Sequence, residues 1–171
     1  MTDKAKIPIT AAVRLLKAEN VVYAEHLYDY QEKGGTPVAA RALGVDEHAV
    51  VKTLVMEDAR KQPLIVLMHG DRQVSTKNLA RAIGVKHIGP CTPETAERHS
   101  GYRIGGTSPF GTRKPIPVYL EKTILDLPLV YVNGGHRGYL LGLAPADVVR
   151  VLKPTLVEVA IDPAATGPQA S

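Results

Sequence analysis

Two stretches of the sequence carry residue types that could do chemistry, and the first is a glycine-rich loop over residues 100–114, SGYRIGGTSPFGTRK. It contains four glycines and no Asp or Glu. Gly105 and Gly106 let a ligand approach the main chain, and Pro109 then stiffens the loop. Such a loop can direct several N–H groups at one oxygen, as an oxyanion hole or an anion-binding nest requires. A long connecting turn with solvated cations is the alternative interpretation.

The second stretch is the apolar segment VVKTLV at residues 50–55, which contains Lys52. An ammonium group inside a strand must reach solvent or find an anionic or hydrogen-bonding partner. Alternation places Lys52 on the same face as Val50 and Leu54, the face we predict to point inward. A cation there could bind a phosphate or a carbonyl oxygen. A lysine that extends outward from the edge of a barrel is the alternative.

Other catalytic patterns are missing from the chain. A nucleophile elbow around Ser108 would need glycine in place of Phe110, and Pro109 removes the N–H that such an elbow uses. No HExxH, paired CxxC, EF-hand or P-loop pattern is present, and the six histidines are scattered singly, so we expect no metal or cofactor. Cys91 has no partner in any motif, which favours a buried or incidental thiol over a nucleophile.

Length and composition bound the kind of protein. The chain has 171 residues, which fits one domain with a substantial core. A single cysteine favours a reducing compartment, and no apolar run is long enough to cross a bilayer, so we expect a cytoplasmic protein. The net charge is +4, but residues 72–114 hold eight Lys and Arg against two Glu, so this segment carries +6 and the remainder −2. A polyanion such as tRNA would favour this basic segment.

Hydrophobic periodicity and capping residues predict an α+β domain. We expect strands at residues 21–28, 50–57, 63–69, 85–88, 117–120, 129–133, 138–143 and 156–161, and helices at 10–19, 37–43, 75–83, 92–99 and 145–152. The strands cluster in hairpins instead of alternating with helices, which favours a mixed, mainly antiparallel β-barrel of about six to seven strands surrounded by short helices. We place this single domain at residues 1–161 and a disordered tail at 162–171.

Five motifs together resemble the YbaK/EbsC family, and within it the YbaK-type Cys-tRNA(Pro)/Cys-tRNA(Cys) deacylases. They are HLY at 26–28, VVKTLV at 50–55, STKNLARAIGVK at 75–86, the run from 98 to 114 around SGYRIGGTSPFG, and YVNGGHRG at 131–138. The resemblance covers residues 10–161. It implies an editing domain with a mixed, mainly antiparallel barrel. It also implies hydrolysis of the ester at the 3′ end of a mischarged tRNA in trans, without metal or cofactor.

The resemblance also implies roles for single residues. Lys52 matches the family's essential lysine, and Gly105 with Gly106 matches the loop that approaches the ester, so we predict these three as catalytic. The predicted substrate-binding residues lie in the same motifs: Tyr28, Thr53, Thr107, Ser108, Pro109, Asn133, Gly134, Gly135 and Arg137. One position departs from the pattern, because many relatives place Asp where this chain has Leu140. If that acid holds the substrate's amino group in relatives, recognition differs here.

Three functions follow as hypotheses from this pattern. The first is hydrolysis of mischarged Cys-tRNA(Pro) in which the substrate's own thiol attacks the ester, because no side-chain nucleophile is well placed. Attack by water at the same oxyanion site is a variant that would extend to serine or alanine esters. The second function is a tRNA- or synthetase-binding module without turnover, and the third is a role unconnected with tRNA. Prolyl-tRNA synthetase is a candidate partner of the first two.

Overall fold

The computed structural model describes residues 6–163, and these form ten strands and five α-helices. The helices are α1 (Ala11–Ala18), α2 (Gly35–Leu43), α3 (Thr76–Ile83), α4 (Pro93–Ser100) and α5 (Pro145–Leu152). The strands are β1 (Ala24–Leu27), β2 (Val50–Asp58), β3 (Pro63–His69), β4 (Gln73–Val74), β5 (Ile88–Pro90), β6 (Val118–Glu121), β7 (Val130–Asn133), β8 (Tyr139–Leu143), β9 (Thr155–Val157) and β10 (Ala160–Ile161). Most of the tail that we predicted to be disordered, residues 164–171, lies outside the described residues.

The main sheet is mixed and open. Its strands follow the order β1-β8-β7-β2-β3-β6-β9, β5 pairs with β2 beside this path, and β4 and β10 form a separate two-stranded sheet. Pairing is antiparallel except at β2–β7, β3–β6 and β6–β9. The α+β class and the mixed sheet are confirmed, but the barrel is not, because β1 and β9 at the two ends of the path do not pair. Register of distant strands cannot be read from local periodicity, so closure was beyond the sequence pattern.

Helices cover both faces of the main sheet. On one face, α1 and α5 pack through residues such as Leu16 and Val148 onto a core that includes Ile65, Leu67 and Leu141. On the other face, α3 covers the β2–β3 hairpin, and α2 covers Val50 and Leu140. None of the helices within residues 6–163 is long and apolar enough to cross a membrane.

Local signals positioned most elements correctly. Thr10 accepts a hydrogen bond from the N–H of Val13 at the start of α1, and Ser75 does the same for Asn78 at the start of α3, as the capping patterns predicted. Two strands were misplaced. The strand predicted at 85–88 begins only at Ile88, because the N–H of Val85 is still bonded to the Ala80 carbonyl at the end of α3. The predicted strand at 156–161 is divided into β9 and β10, because the two halves pair with different sheets.

Candidate active site

One face of the main sheet carries Lys52 of β2, Asn133 of β7 and Leu140 of β8. In the parallel β2–β7 pair, Val50 lies beside Tyr131 and Val51 beside Val132, so the next residues along, Lys52 and Asn133, are neighbours on the same face. Asn133 in turn pairs with Leu140 of β8, which pairs with His26 of β1. The structure therefore brings Lys52, Asn133 and Leu140 into one row across strands that are distant in sequence.

The side chain of Lys52 is half-buried and its ammonium has one hydrogen bond, to the main-chain carbonyl of Arg72. Burial lowers the pKa of Lys52 from its usual value, and the carboxylates of Glu47 and Asp71 oppose that shift. An ammonium can donate three hydrogen bonds. Lys52 is thus neither fully paired inside the domain nor extended freely into solvent. Two of its three N–H donors have no protein acceptor within residues 6–163.

Both carboxylates near Lys52 are held by other groups. The Thr36 hydroxyl lies 2.7 Å from Oε2 of Glu47. His48 Nδ1 lies 2.7 Å from Oδ1 of Asp71, and the Arg72 guanidinium lies 3.1 Å from its Oδ2. We call these residues, Thr36, Glu47, His48, Lys52, Asp71 and Arg72, the lysine cluster. The hydrogen bonds from His48 and the charge of Arg72 lower the pKa of the Asp71 carboxyl, although its partial burial acts in the opposite direction.

The structure brings two histidines together that the sequence left apart. Among the described residues, His48, His69 and Asp71 have ligand atoms within 4.8 Å of one another, the spacing that a bound metal would need. The two rings, however, stack face to face with centroids 3.6 Å apart. His69 is fully buried and uses one ring nitrogen on the His48 carbonyl and the other on the Thr123 hydroxyl, each at 2.7 Å. Hydrogen bonds account for this cluster, and we assign no metal to it.

The glycine-rich loop reaches the lysine row through Asn133. The Asn133 side-chain amide donates to the Gly105 carbonyl at 3.3 Å, which places the loop at the end of β7. Gly105 is exposed and has φ of +86°, a conformation that favours glycine. Its N–H has no acceptor within the part of the chain that the structure describes. The N–H of Gly106 is already donated to the Arg103 carbonyl at 2.9 Å. Of the two N–H groups that we predicted as oxyanion donors, that of Gly105 is the accessible one.

A second loop, between β7 and β8, supports the first. Oδ1 of Asn133 accepts the N–H groups of Gly135 and His136, at 2.7 and 3.2 Å. Arg137 donates from Nε to the Ile104 carbonyl at 2.8 Å, directly before Gly105. Residues 103–106 and 133–138 therefore form one unit, which we call the glycine loops. Asn133 is its centre, because one side chain bonds both loops.

Two tyrosines of the segment between β1 and α2 complete the site. Tyr28 packs against the cluster that contains Val50 and Leu140, on the Lys52 side of the sheet. Its N–H donates to the Gly138 carbonyl at 2.9 Å, and burial raises the pKa of its hydroxyl. Tyr30 lies against Gly105, and its ring faces the Arg137 guanidinium, whose carbon is 4.9 Å from the ring centroid. The segment thus contacts both the Lys52 face of the sheet, through Tyr28, and the glycine loops, through Tyr30.

Several predicted substrate-binding side chains lie away from this surface. Thr53 points to the opposite face of β2, where its hydroxyl is buried without a hydrogen-bond partner among the described residues. The Ser108 hydroxyl is fully buried and accepts the Phe110 N–H at 3.2 Å. Pro109 is also buried, and the Thr107 hydroxyl bonds the Arg103 carbonyl at 3.4 Å. These side chains shape the loop from within and do not line an open surface.

Gly134 is buried as well, and its carbonyl accepts from the Thr10 hydroxyl that begins α1. This contact fixes the β7–β8 loop to the other side of the sheet. The residues that sequence reasoning missed are the members of the lysine cluster other than Lys52, together with Tyr30. Tyr30 could have been found, because it follows Tyr28 by two residues. Thr36, Glu47 and Asp71 gave no signal, since they surround Lys52 only after the strands have paired.

The chain is similar to known proteins over most of its length. A family profile described as "Aminoacyl-tRNA editing domain" matches residues 33–151. A protein of Enterococcus faecalis, EbsC, proposed to be a Cys-tRNA(Pro)/Cys-tRNA(Cys) deacylase, is 28% identical over 160 residues, which cover 93% of this chain and 98% of EbsC. Proline–tRNA ligase of Levilactobacillus brevis is 29% identical over 94 residues, or 55% of this chain and 16% of the ligase.

A solved structure shares the fold. The crystal structure of a proposed trans-editing enzyme for prolyl-tRNA synthetase superimposes with a TM-score of 0.77 at 22% sequence identity, and the match covers 91% of this chain and 99% of that protein. At this level of identity the likeness establishes the arrangement of the strands and helices. The described sheet and its five helices are therefore a known architecture.

Proposed function

The chain belongs to the aminoacyl-tRNA editing domain family, and from that premise we propose that it is a trans-editing deacylase that hydrolyses the ester of mischarged Cys-tRNA(Pro). Its resemblance to EbsC extends over nearly the whole of both chains, which supports an independent enzyme that acts in trans. The shorter match to proline–tRNA ligase supports a connection with tRNA(Pro).

One observation carries the proposal: a half-buried ammonium and an accessible main-chain N–H are both linked to Asn133. Lys52 neighbours Asn133 across β2 and β7, and Asn133 holds Gly105. A cation and an N–H donor on one sheet face can bind an ester on both sides of its carbonyl group. The residues on this surface offer no serine or cysteine, since Ser108 is fully buried and Cys91 follows β5 away from it.

The reaction that fits these groups uses a nucleophile from the substrate. The sulfur of the cysteinyl group attacks its own ester carbonyl, a bond forms between sulfur and carbon, and negative charge develops on the carbonyl oxygen. The C–O bond to the tRNA ribose then breaks, and the thiol proton passes to the leaving ribose oxygen. The cyclic thioester that results is opened by water to free cysteine. Because both reacting groups are on one molecule, the step gains effective molarity without an enzyme nucleophile.

The protein's share of this reaction is orientation and charge stabilisation. We assign the Gly105 N–H to the developing oxyanion, and Lys52 to the ester or the terminal nucleotide of the tRNA. Gly106 supports the loop, because its N–H is committed to Arg103. We assign Tyr28, which is partly buried against Val50 and Leu140, to the side of the substrate site. Leu140 offers no carboxylate to the substrate's amino group. An uncharged part of the aminoacyl group is therefore the better fit beside this residue.

Single-turnover deacylation of Cys-tRNA(Pro), Ala-tRNA(Pro) and Ser-tRNA(Pro) tests the proposal. The thiol mechanism predicts rapid loss of the cysteinyl ester and weak action on the other two, because neither alanine nor a serine hydroxyl can replace the thiol. Equal rates on cysteine and alanine would contradict thiol attack and favour water at the same oxyanion site. Absence of turnover on all three, with binding of tRNA retained, would favour the non-catalytic binding module.

The tRNA itself and prolyl-tRNA synthetase are the partners that we propose. Residues 72–114, which carry +6, contribute α3 and α4, and their Lys and Arg side chains are mostly exposed. Phosphate contacts of this kind depend strongly on salt. We therefore expect the affinity for tRNA(Pro) to fall steeply as the salt concentration rises, with or without the synthetase.

A further inference from the structure

The lysine cluster has a feature that the proposed reaction does not require by itself. Lys52 stands near two carboxylates, yet it forms no ion pair with either of them among the described residues. A half-buried ammonium normally gains from a direct contact with a carboxylate. Here the contact is replaced by a hydrogen bond to a neutral carbonyl, that of Arg72. Something must keep the two carboxylates from closing on the lysine.

The hydrogen bonds of the cluster supply the restraint. Glu47 is held by the Thr36 hydroxyl at 2.7 Å, and the same hydroxyl lies 3.1 Å from the Gly70 carbonyl, which anchors it to the turn after β3. Asp71 is held on one oxygen by His48 at 2.7 Å and on the other by Arg72 at 3.1 Å. A carboxylate accepts only from a donor, so His48 carries its proton on Nδ1 here.

His48 is itself fixed in place. Its ring stacks on the fully buried ring of His69, and its main-chain carbonyl accepts from His69 Nδ1 at 2.7 Å. The other nitrogen of His69 meets the Thr123 hydroxyl. The restraint on Asp71 is therefore connected to the interior of the domain, while Lys52, Glu47 and Asp71 remain at the partly exposed surface.

We propose that Thr36 and His48 are positioning residues that hold the carboxylates of Glu47 and Asp71 away from Lys52, so that the ammonium keeps two N–H donors for the substrate. This inference rests on the role of Lys52 in the proposed function. The charged groups that act on Lys52 are Glu47 and Asp71, and the Arg72 guanidinium and the His48 ring lie behind Asp71, which they contact. Both carboxylates favour the charged lysine from a distance, and neither competes with the ester or phosphate of the tRNA for its N–H groups.

Thr36→Val and His48→Phe test the restraint, because each keeps the shape of the side chain and removes the donor. We expect the freed carboxylate to close on Lys52. The pKa of Lys52, followed by NMR titration of its ¹³Cε in the free protein, should then rise. The KM for Cys-tRNA(Pro) should rise about tenfold while kcat changes less, because the ion pair competes with substrate binding.

Removing the charge as well should reverse the effect. Glu47→Gln in the Thr36→Val background, and Asp71→Asn in the His48→Phe background, should lower the pKa of Lys52 below that of the wild type and return KM toward the wild-type value. A purely structural defect in either single variant would not be repaired by its second substitution. Lys17→Ala, at an exposed position on α1 outside the basic segment, is the control for loss of a surface cation.

Two results would overturn the inference: an unchanged pKa of Lys52 in both Thr36→Val and His48→Phe, or a raised KM that the second substitutions leave unrepaired. The NMR titration needs no substrate, so it also separates this inference from the proposed function. If the wild-type protein deacylates no ester but the pKa values shift as expected, the proposed function fails and the restraint on Lys52 stands. If deacylation is normal and the pKa values do not move, the reverse holds.

Discussion

The two sides of the site are built in different ways. The glycine loops are held by hydrogen bonds to main-chain carbonyls and N–H groups, centred on Asn133, and they leave no space for additional atoms. The lysine cluster is made of charged side chains at partly exposed positions, held by other side chains. Geometry therefore governs the first side, and electrostatics the second. We expect substitutions on the glycine side to act through shape, and those on the lysine side to act in graded, pH-dependent steps.

The sharpest way to break this comparison is to add one carbon to the glycine loops. A Cβ at Gly106 would lie 2.7 Å from the main-chain nitrogen of Arg137 and 2.9 Å from the carbonyl carbon of His136. Backbone atoms cannot turn aside as a side chain does, so Gly106→Ala should separate the two loops. We expect single-turnover deacylation to fall about a hundredfold, the loss that a displacement of about 1 Å can cause.

Gly89→Ala is the matched control for this substitution. A Cβ at Gly89 would meet only the end of the His87 ring, at 3.2 Å, and this side chain can move away. The control should keep wild-type activity and a nearly unchanged melting temperature. Wild-type deacylation by Gly106→Ala would show that contact between the loops is not what aligns the site.

A smaller effect is expected from Arg137→Lys, which keeps the charge but changes its shape. Lysine cannot both donate to the Ile104 carbonyl in the same geometry and lie flat over the Tyr30 ring. We expect a loss of about tenfold in kcat/KM, which corresponds to about 1.4 kcal/mol. Hydrogen exchange of the Gly106 amide, which is buried and donated to the Arg103 carbonyl, should become faster, because the loop that Arg137 holds at Ile104 is loosened.

Arg150→Lys on α5 is the control, because Arg150 forms exposed ion pairs with Asp147 and Glu19. Such pairs contribute little, so its activity should match that of the wild type. An Arg137→Lys variant with unchanged Gly106 exchange and full activity would argue that Arg137 does not hold the loop in place.

The glycine loops and the lysine cluster also differ in how far the sequence could predict them. The glycine loops and Lys52 stand in short motifs, so a local reading of the sequence found them. Thr53 follows Lys52 directly in β2, so strand alternation places its side chain on the other face of the sheet. The prediction that Thr53 binds substrate came from the motif alone and did not take this alternation into account. The sequence could not show that the N–H of Gly106 is already bonded to the Arg103 carbonyl, because this bond depends on how the loop folds. Gly106 was therefore predicted as an oxyanion donor.

The lysine cluster could not be predicted, because its members come together only through tertiary structure. Glu47 precedes β2, Asp71 follows β3, and Thr36 belongs to α2. No spacing rule links these positions, and each residue type is common on protein surfaces. The open sheet was missed for a related reason, since pairing between the end strands β1 and β9 is a long-range property that hairpin patterns do not report.

The smallest effect is expected outside both sides of the site, at Cys91. Burial, with the charge of Glu57 second, raises the pKa of this thiol to about 11, so it is protonated at neutral pH. Only a thiolate reacts readily with alkylating reagents. Cys91→Ser should therefore deacylate at the wild-type rate, and iodoacetamide at pH 7 should modify the native protein slowly. Rapid alkylation with loss of activity would place a reactive thiol in the site and contradict the substrate-thiol mechanism.

The central claim is that Lys52 on one side and Gly105 on the other act on the same ester. The most direct test is single-turnover deacylation of Cys-tRNA(Pro) by the wild type, Lys52→Ala and the control Lys17→Ala, with circular dichroism to confirm that each variant is folded. We expect Lys52→Ala to be slower by a factor of about 100 or more, and Lys17→Ala to remain within about twofold of the wild type. A folded Lys52→Ala variant that deacylates at the wild-type rate would contradict the account.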